Sequence, residues 1–415
     1  MSNYDEYPVP AIAELLEELC PEGVKVVPTT NTVDFIRGLT YSKAEEDLLG
    51  DVTVLRANNI SLQTSRLDFT DLKRITRKNK PIRPDLFLRA NDILMAANSG
   101  SKQHVGKTTF ITDDMPNVVF GGFMAVLRSK PGVNARYIYH LLSSRAFLEY
   151  KNQVLQSSTI NNIKQSTLEG FEIPLPPPEV QEQIVTILDT FTDLEASLNR
   201  ELELRADQFA HALDSVFGNS TAPRSTLGQV GDFTKGKGVT KAQLQDEGIP
   251  AFHYGQVHTS YGHSATSTIS YIDPKLIKNP TFAHPSDLVL ATTSEDDEAV
   301  GKAVAWLGDE DAVVGGDAYV YSHSLEPRYV SYFFASHDFQ LQKGLKVYGT
   351  KVRRINDKGL SALTIPVPAP EVQEQIADTL DLFTGYTFNL RREIDLRRQQ
   401  LEYYREQLLT FPVDE

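Results

Sequence analysis

The strongest constraint on this chain is an internal duplication. The segment IPLPPPEVQEQIVTILDTFTDLEASLNRELELRADQFAHALDSVF, from Ile173 to Phe217, is nearly copied from Ile365 to Leu409 as IPVPAPEVQEQIADTLDLFTGYTFNLRREIDLRRQQLEYYREQLL. Glu179 and Glu371 stand 192 residues apart. That period is the size of a whole domain and far exceeds the roughly 20–50 residues of stacked repeats. The blocks preceding the copies match more weakly. Asp92-Ile-Leu-Met-Ala pairs with Asp287-Leu-Val-Leu-Ala, Val105-Gly-Lys with Val300-Gly-Lys, and Gly121-Gly122 with Gly315-Gly316. Arg136-Tyr137 pairs with Arg328-Tyr329, and Ser158–Ile163 with Thr350–Ile355. Near-identical segments serve a shared task and diverged blocks serve different ones. The chain therefore divides into a block (1–177), a helical segment (178–217), a second block (218–369) and a second helical segment (370–415).

Each copied segment reads as one long helix. Pro178 and Pro370 suit the first turn, where proline's missing N–H costs nothing. Glu179, Glu182, Glu371 and Glu374 place carboxylates near the positive helix end. Apolar residues then recur at spacings of four and three: Ile184, Leu188, Phe191, Leu198, Leu202 and Phe209, matched by Ile376, Leu380, Phe383, Leu390, Ile394 and Leu401. Such a heptad stripe is a seam for another helix. Glu195 and Thr387, then Arg205 and Arg397, interrupt it at equal depth, as expected of two helices that need a fixed register. A helix of about 40 residues is about 60 Å long. The expected fold is α+β: two mixed α/β domains separated by two long antiparallel helices that form a coiled coil, with pseudo-two-fold symmetry. Two independent amphipathic helices, each lying on its own block, would carry the same stripes. Within the blocks, the runs Asp92–Ala96, Val118–Leu127 and Ala312–Tyr321 read as strands, and 135–150 and 328–342 as helices. Ile12–Cys20 reads as an extra helix without a counterpart in the second half.

The net charge of −14 disfavours polyanion binding by the surface as a whole. Most of the acidity falls in the two copied segments, which leaves each block near neutral and able to carry a local basic face. Cys20 is the only cysteine, so neither an internal disulfide nor a cysteine-built zinc site can form, and a reducing cytoplasm is expected. No histidine pair has HExxH spacing, so no metal is expected. No apolar run approaches the roughly 20 residues of a membrane span. Met1–Pro10 carries Asp5 and Glu6 and no basic run, unlike a secretory leader.

With Pro174–Ile184 and Pro366–Ile376 each opening a long helix a domain apart, the chain resembles, over essentially its whole length, the specificity (S) subunits of type I restriction–modification systems. The resemblance implies that the blocks are target-recognition domains and the helices spacers. It implies a subunit with no active site of its own. Each domain would read one half of a bipartite target in double-stranded DNA. The helices would set the distance between the half-sites and dock two methyltransferase (M) subunits, and the assembly would recruit restriction/translocase (R) subunits. S-adenosylmethionine, ATP and magnesium would belong to those partners. Unlike halves predict an asymmetric target, since base-edge readout depends on each domain's own side chains. The strand, polar loop and Gly-Lys of Asp92–Lys107 and Asp287–Lys302 also resemble these domains. The second copy departs from the pattern because Glu295, Asp296, Asp297 and Glu298 make its loop acidic.

Several motifs suggest chemistry and fail on inspection. Gly100-Ser-Lys-Gln-His-Val-Gly106-Lys107-Thr108 has five residues between its glycines, where the phosphate-binding loop needs four. Asn279-Pro-Thr-Phe282 echoes an amino-methyltransferase tetrapeptide but lacks a glycine-rich cofactor loop, and Asn-Pro is ordinarily a turn. Glu149-Tyr-Lys151 echoes a nuclease motif, but the nearest Pro-Asp, Pro84-Asp85, is remote. No G-x-S-x-G elbow is present.

DNA contact remains. In the first block Lys73, Arg74, Arg77, Lys78, Lys80 and Arg83, with Arg89, form the densest positive region, and Lys102 and Lys107 lie on the polar loop. Thr159, Asn161, Asn162 and Lys164 are polar and less charged, and asparagine pairs bidentately with adenine. In the second block Lys343 and Lys346 lead into Tyr348, Thr350, Lys351, Arg353, Arg354, Asn356 and Lys358, a mixture suited to phosphate and base-edge contacts. His253, Tyr254, Gln256 and His258 form another polar–aromatic group for which a structural role is equally expected. A stand-alone DNA-binding scaffold or regulator without a methyltransferase partner is the alternative. It would bind DNA tightly alone, against which the acidic total argues.

Overall fold

The run Asp92-Ile-Leu-Met-Ala forms a strand in which every residue is buried, and its counterpart Leu288–Ala291 is equally enclosed. A strand buried on both faces needs cover on both sides. In the computed structural model, which describes residues 7–62, 64–78, 81–156, 161–237 and 239–412, helices supply one cover and a second sheet the other. The chain divides into two compact units, Met1–Ser197 with Ile394–Glu415, and Leu198–Glu393.

In the first unit an antiparallel sheet runs Val33–Arg37, Met124–Ser129, Asp92–Ala96, Thr108–Phe110. Side chains alternate along a strand. Ile93 and Met95 therefore enter a core with Tyr137, Leu141 and Phe147 from helices, while Leu94 and Ala96 enter another with Val52, Val54 and Val119. The latter three belong to a second sheet ordered Lys73–Ile75, Val52–Leu55, Met115–Phe120, Phe87–Leu88, in which Val52–Leu55 and Met115–Phe120 are parallel. The helix Pro10–Leu19 buries Ile12 and Leu16 in the helix-side core.

The second unit repeats this plan. One sheet runs Gly231–Lys235, Ala318–His323, Leu288–Ala291, Lys302–Trp306, with Ser264–Ala265 added at its edge. The other runs Leu244–Gln245, Ser270–Ile272, Ile249–Phe252, Ala312–Val314, Thr281–Ala283, again with one parallel pair, Ile249–Phe252 and Ala312–Val314. Leu288 and Leu290 face the helices, and Val289 and Ala291 face the second sheet.

Two expectations from the sequence need correction. The runs read as single strands at Val118–Leu127 and Ala312–Tyr321 are each two strands belonging to different sheets. Gly121-Gly122 and Gly315-Gly316 turn the chain between the layers. There Gly38 and Gly236 pack so closely that a β-carbon on either would lie about 2 Å from the carbonyl oxygen of Gly121 or Gly315. The expected helices 135–150 and 328–342 are each two: Ala135–Leu142 with Arg145–Gln156, and Pro327–Ala335 with His337–Gly344. Buried Ser144 and Ser336 break them, each hydroxyl donating back to a helix carbonyl (Leu141 or Phe333) and accepting from the next helix's N–H (Phe147 or Phe339).

The long helices are Pro178–Leu213, continued by a π-helical turn at Asp214–Gly218, and Pro370–Leu408. Each unit contains part of both. In the first, Ile184 and Leu188 share a core with Leu401 and Leu408, Phe191 stacks on Tyr404 with ring centroids 5.0 Å apart, and Arg398 donates to Glu195 at 2.6 Å. Residue numbers rise along one helix as they fall along the other, so the pairing is antiparallel. In the second unit Phe209 lies 6.3 Å from Phe383, the Arg205 guanidinium sits 4.9 Å above the Tyr386 ring, and Leu380 and Ile376 join Leu213 and Phe217 in the core. Leu390 and Ile394 are buried, and Leu198 and Leu202 partly so. The apolar stripe therefore does two jobs: it pairs the helices and floors each block. Of the polar interruptions, Glu195 and Arg205 reach across to the other helix. No helix among the described residues is long and apolar enough to cross a membrane.

Candidate nucleic-acid interface

The residues most alike in the two halves build a framework. Tyr137 and Tyr329, both fully buried, donate their hydroxyls to the carbonyls of Pro174 (3.0 Å) and Pro366 (2.9 Å). Gln181 and Gln373, inside the copied helix-opening motif, are buried side chains with two partners each. Gln181 accepts from the Asn134 N–H at 2.9 Å and donates to the Pro176 carbonyl at 2.7 Å, and Gln373 does the same with Glu326 (3.0 Å) and Pro368 (2.8 Å). Arg136 pairs with Asp189 at 2.7 Å, and Arg328 with Asp378 and Asp381 at 2.7 Å. Asp189 also meets His140 at 2.8 Å, where Asp381 accepts from the Tyr332 hydroxyl at 2.6 Å. These contacts fasten each long helix to its block. The sequence signalled the residues as repeated but not this role.

The Gly-Lys motif also turns out to be structural. Lys107 donates to the carbonyl of Ile60 and lies 3.0 Å from His104 Nδ1, and its counterpart Lys302 donates to the carbonyls of His258 (3.0 Å) and Tyr261 (2.8 Å). Burial lowers the pKa of both amines. Gly106 and Gly301 adopt positive φ, +78° and +85°, which brings Lys151 and Lys343 against them. Lys343 is buried, donates to the carbonyls of Glu298 (3.0 Å) and Val300 (2.9 Å), and burial pushes it down to about 8. Lys107 and Lys343 therefore hold loops together, and neither ammonium is presented for phosphate. A buried amine left without acceptors would be more costly than these inward bonds.

The other sequence-derived candidates separate into engaged and unengaged groups. Lys73 pairs with Glu46 at 3.0 Å, Arg77 with Asp51 at 3.7 Å while lying over the Phe87 ring, and Arg83 with Asp85 at 3.3 Å. Arg353 pairs with Asp297, and Asn356 accepts from the Gly359 N–H at 2.8 Å as a helix cap. Arg74, Lys78, Lys102, Lys164, Lys351, Arg354 and Lys358 are exposed, with no side-chain partner among the described residues. Thr350 and Tyr348 are exposed beside them. Lys80 and Thr159 lie outside the described residues. Of the polar–aromatic group, His253 caps the helix Tyr254–Thr259, Gln256 donates to Ser270 at 2.7 Å, and His258 Nε2 lies 2.9 Å from the Thr293 carbonyl, so these are largely internal contacts.

The structure brings Asn161 and Asn162 to the strand end at Asn98, where Asn98 and Asn162 form an antiparallel bridge. Beside it opens a concavity of about 680 Å³ whose lining includes Tyr41, Arg56, Asn58, Asn98 and Phe123. Phe123 is 69% exposed, unusual for phenylalanine. None of these five was expected from sequence. Asn98 lies two residues beyond the repeated run Asp92–Ala96 and Phe123 directly after Gly121-Gly122, where the halves begin to differ, and that was the available signal.

Fold and surface define a class: two homologous units that carry dissimilar exposed side chains on one shared framework. The sequence pattern of the type I restriction modification DNA specificity domain matches this chain twice, over residues 21–204 and 220–397, and the chain belongs to that family. The relatives it matches are named specificity subunits, the DNA-recognition and not the catalytic components of these systems. It is 33% identical over 178 residues to the type I restriction enzyme EcoKI specificity subunit of Escherichia coli K12, an alignment covering 41% of this chain and only 36% of that protein. It is 27% identical over 303 residues to the EcoR124I/EcoR124II specificity subunit of Escherichia coli, covering 68% of this chain and 72% of that one. The type I S subunit of M. genitalium shares the fold, with a TM-score of 0.54 at 14% identity, over 93% of this chain and 96% of that one.

Proposed function

We propose that the chain reads a split, asymmetric target in double-stranded DNA, one half-site per block, and that its long helices fix the spacing and dock two methyltransferase subunits. On this reading the chain itself binds no cofactor. S-adenosylmethionine, ATP and magnesium act on the methyltransferase and restriction/translocase partners. The observation that carries the proposal is the contrast between halves: hydrogen bonds that fasten block to helix are repeated, while the exposed residues around Asn98 and Arg354 are not. A framework kept twice with its surface changed is what two readers of different sequences need. The unengaged cations support phosphate contact. Exposed apolar residues on the helices, including Leu382 (75%) and Phe388 (66%), support docking of a partner protein.

The test is co-expression with a methyltransferase subunit of a type I restriction–modification system, taken from the same genome, in a methylation-free host, followed by long-read mapping of adenine methylation. A single split motif with constant spacing is the expected result. Soluble, co-purifying proteins that leave DNA unmethylated would refute DNA reading, and failure to co-purify would refute the docking role for that partner.

A further inference from the structure

We infer that a two-strand clasp carries base discrimination in each unit: Asn98 opposite Asn162 in the first, and Thr293 opposite Arg354 in the second, with Arg354 reading a guanine. This rests on the DNA-reading role proposed above and names residues for it.

The clasp has the same backbone in both units. Asn98 and Asn162 are paired antiparallel partners, as are Thr293 and Arg354, followed by Ser294 and Arg353. The Ile163 N–H donates to the Ala97 carbonyl at 2.7 Å, and the Ile355 N–H to the Thr292 carbonyl at 3.2 Å. Ile163 and Ile355 are buried, so each clasp is anchored in its core. Directly opposed residues of an antiparallel pair point to the same face. One scaffold therefore presents two amides in the first unit and a hydroxyl with a guanidinium in the second.

These side chains have unused hydrogen-bonding capacity. The Asn98 amide has no partner among the described residues. Asn162 accepts from Arg37 at 3.2 Å through Oδ1, which leaves its amino group available. Arg353 is tied to Asp297 and to the Gly349 carbonyl, but the exposed guanidinium of Arg354 has no partner among the described residues. A free arginine fork matches guanine O6 and N7, and an asparagine amide matches adenine N6 and N7. Unpartnered lysines flank both clasps, Lys102 and Lys164 in the first unit and Lys351 and Lys358 in the second, where phosphate contacts would hold the register. The competing role for Arg354 is a phosphate contact, which would weaken binding evenly across sequences.

Selection from randomised DNA duplexes by the complex of this chain with its methyltransferase separates the two. Wild type is expected to enrich a split motif with a guanine in one half. Arg354→Gln should lose preference for that guanine by about tenfold or more and leave the other half unchanged. Asn98→Ala with Asn162→Ala should relax only the other half. Lys358→Ala should weaken binding with the motif intact. A motif unchanged in Arg354→Gln, or a wild-type motif without guanine in either half, overturns the assignment. If Arg354→Gln does not assemble, Thr293→Ala should alter the same half alone, and an unaltered motif again refutes the clasp. Failure of wild type to enrich any split motif would instead remove the DNA-reading role itself.

Discussion

Gln373 offers a direct test of the framework, because the protein's single tryptophan, Trp306, lies buried in the same unit and reports its unfolding. Gln373→Ala removes an acceptor for the Glu326 N–H and a donor for the Pro368 carbonyl. Gln373 is only 2% exposed, so water does not readily replace either partner. A buried polar group left unsatisfied costs about 1–3 kcal/mol. With two such groups and a small cavity, a loss of about 3 kcal/mol is expected. For a unit of roughly 200 residues that corresponds to about 6–12 °C in melting temperature. Trp306 fluorescence followed during thermal unfolding should show this shift, and Gln181→Ala should produce a loss of similar size in far-ultraviolet dichroism for the first unit. A shift below about 2 °C in the Trp306 transition would refute the claim that this glutamine fastens the helix to its block.

Burial holds His140 at about 4, against the opposing pull of Asp189. Unfolded, it takes up a proton near 6.5, so the unfolded state binds more protons between about pH 4 and 6.5. Stability is then complete above 6.5 and falls with acidification by about 1.4 kcal/mol per pH unit within that window. His263 and His323, which burial also holds at about 4, add to the slope in the same window. In melting curves His140→Gln should therefore remove only the His140 share of about 1.4 kcal/mol per pH unit, and a slope unchanged from wild type would exclude His140 as a source. Lys343→Met should cost about 3 kcal/mol by stranding the Glu298 and Val300 carbonyls, yet leave the salt dependence of DNA binding unchanged. Lys358→Ala should do the reverse, lowering the salt slope by about 1. Gly106→Ala should destabilise by about 1–3 kcal/mol, since φ is +78° and the new carbon would lie 2.5 Å from Lys151 Cδ. Gly100→Ala meets open space and should change stability by less than about 0.5 kcal/mol in denaturant titrations.

The duplication, the two long helices and their apolar seam were legible in the sequence because a heptad pattern is a local, periodic signal. Splitting of the 135–150 helix was not. Ser144 reads as an ordinary helical residue until its burial forces the hydroxyl to satisfy Leu141 and Phe147. Lys107 misled for a related reason. A lysine beside glycine in a polar loop looks solvent-facing, and only the positive-φ turn at Gly106 and the distant Ile60 carbonyl reveal that Lys107 points inward. Charge density overstated Lys73 and Arg77 in the same way, since Glu46 and Asp51 come from strands and loops remote in sequence.

These particulars bear on how one chain can present two unlike reading surfaces. The repeated groups Tyr137 and Tyr329, Gln181 and Gln373, and Lys107 and Lys302 all satisfy buried backbone groups, where losing a partner is expensive. Asn98, Asn162, Thr293 and Arg354 satisfy little inside the protein, and their backbone bonds do not depend on side-chain identity. Exchange of side chains at such positions changes stability by less than about 0.5 kcal/mol, whereas one bidentate base contact shifts discrimination by about 1–3 kcal/mol. Target preference can therefore differ between the halves while the fold stays the same, provided the differences are confined to the strand ends that the framework holds but does not use.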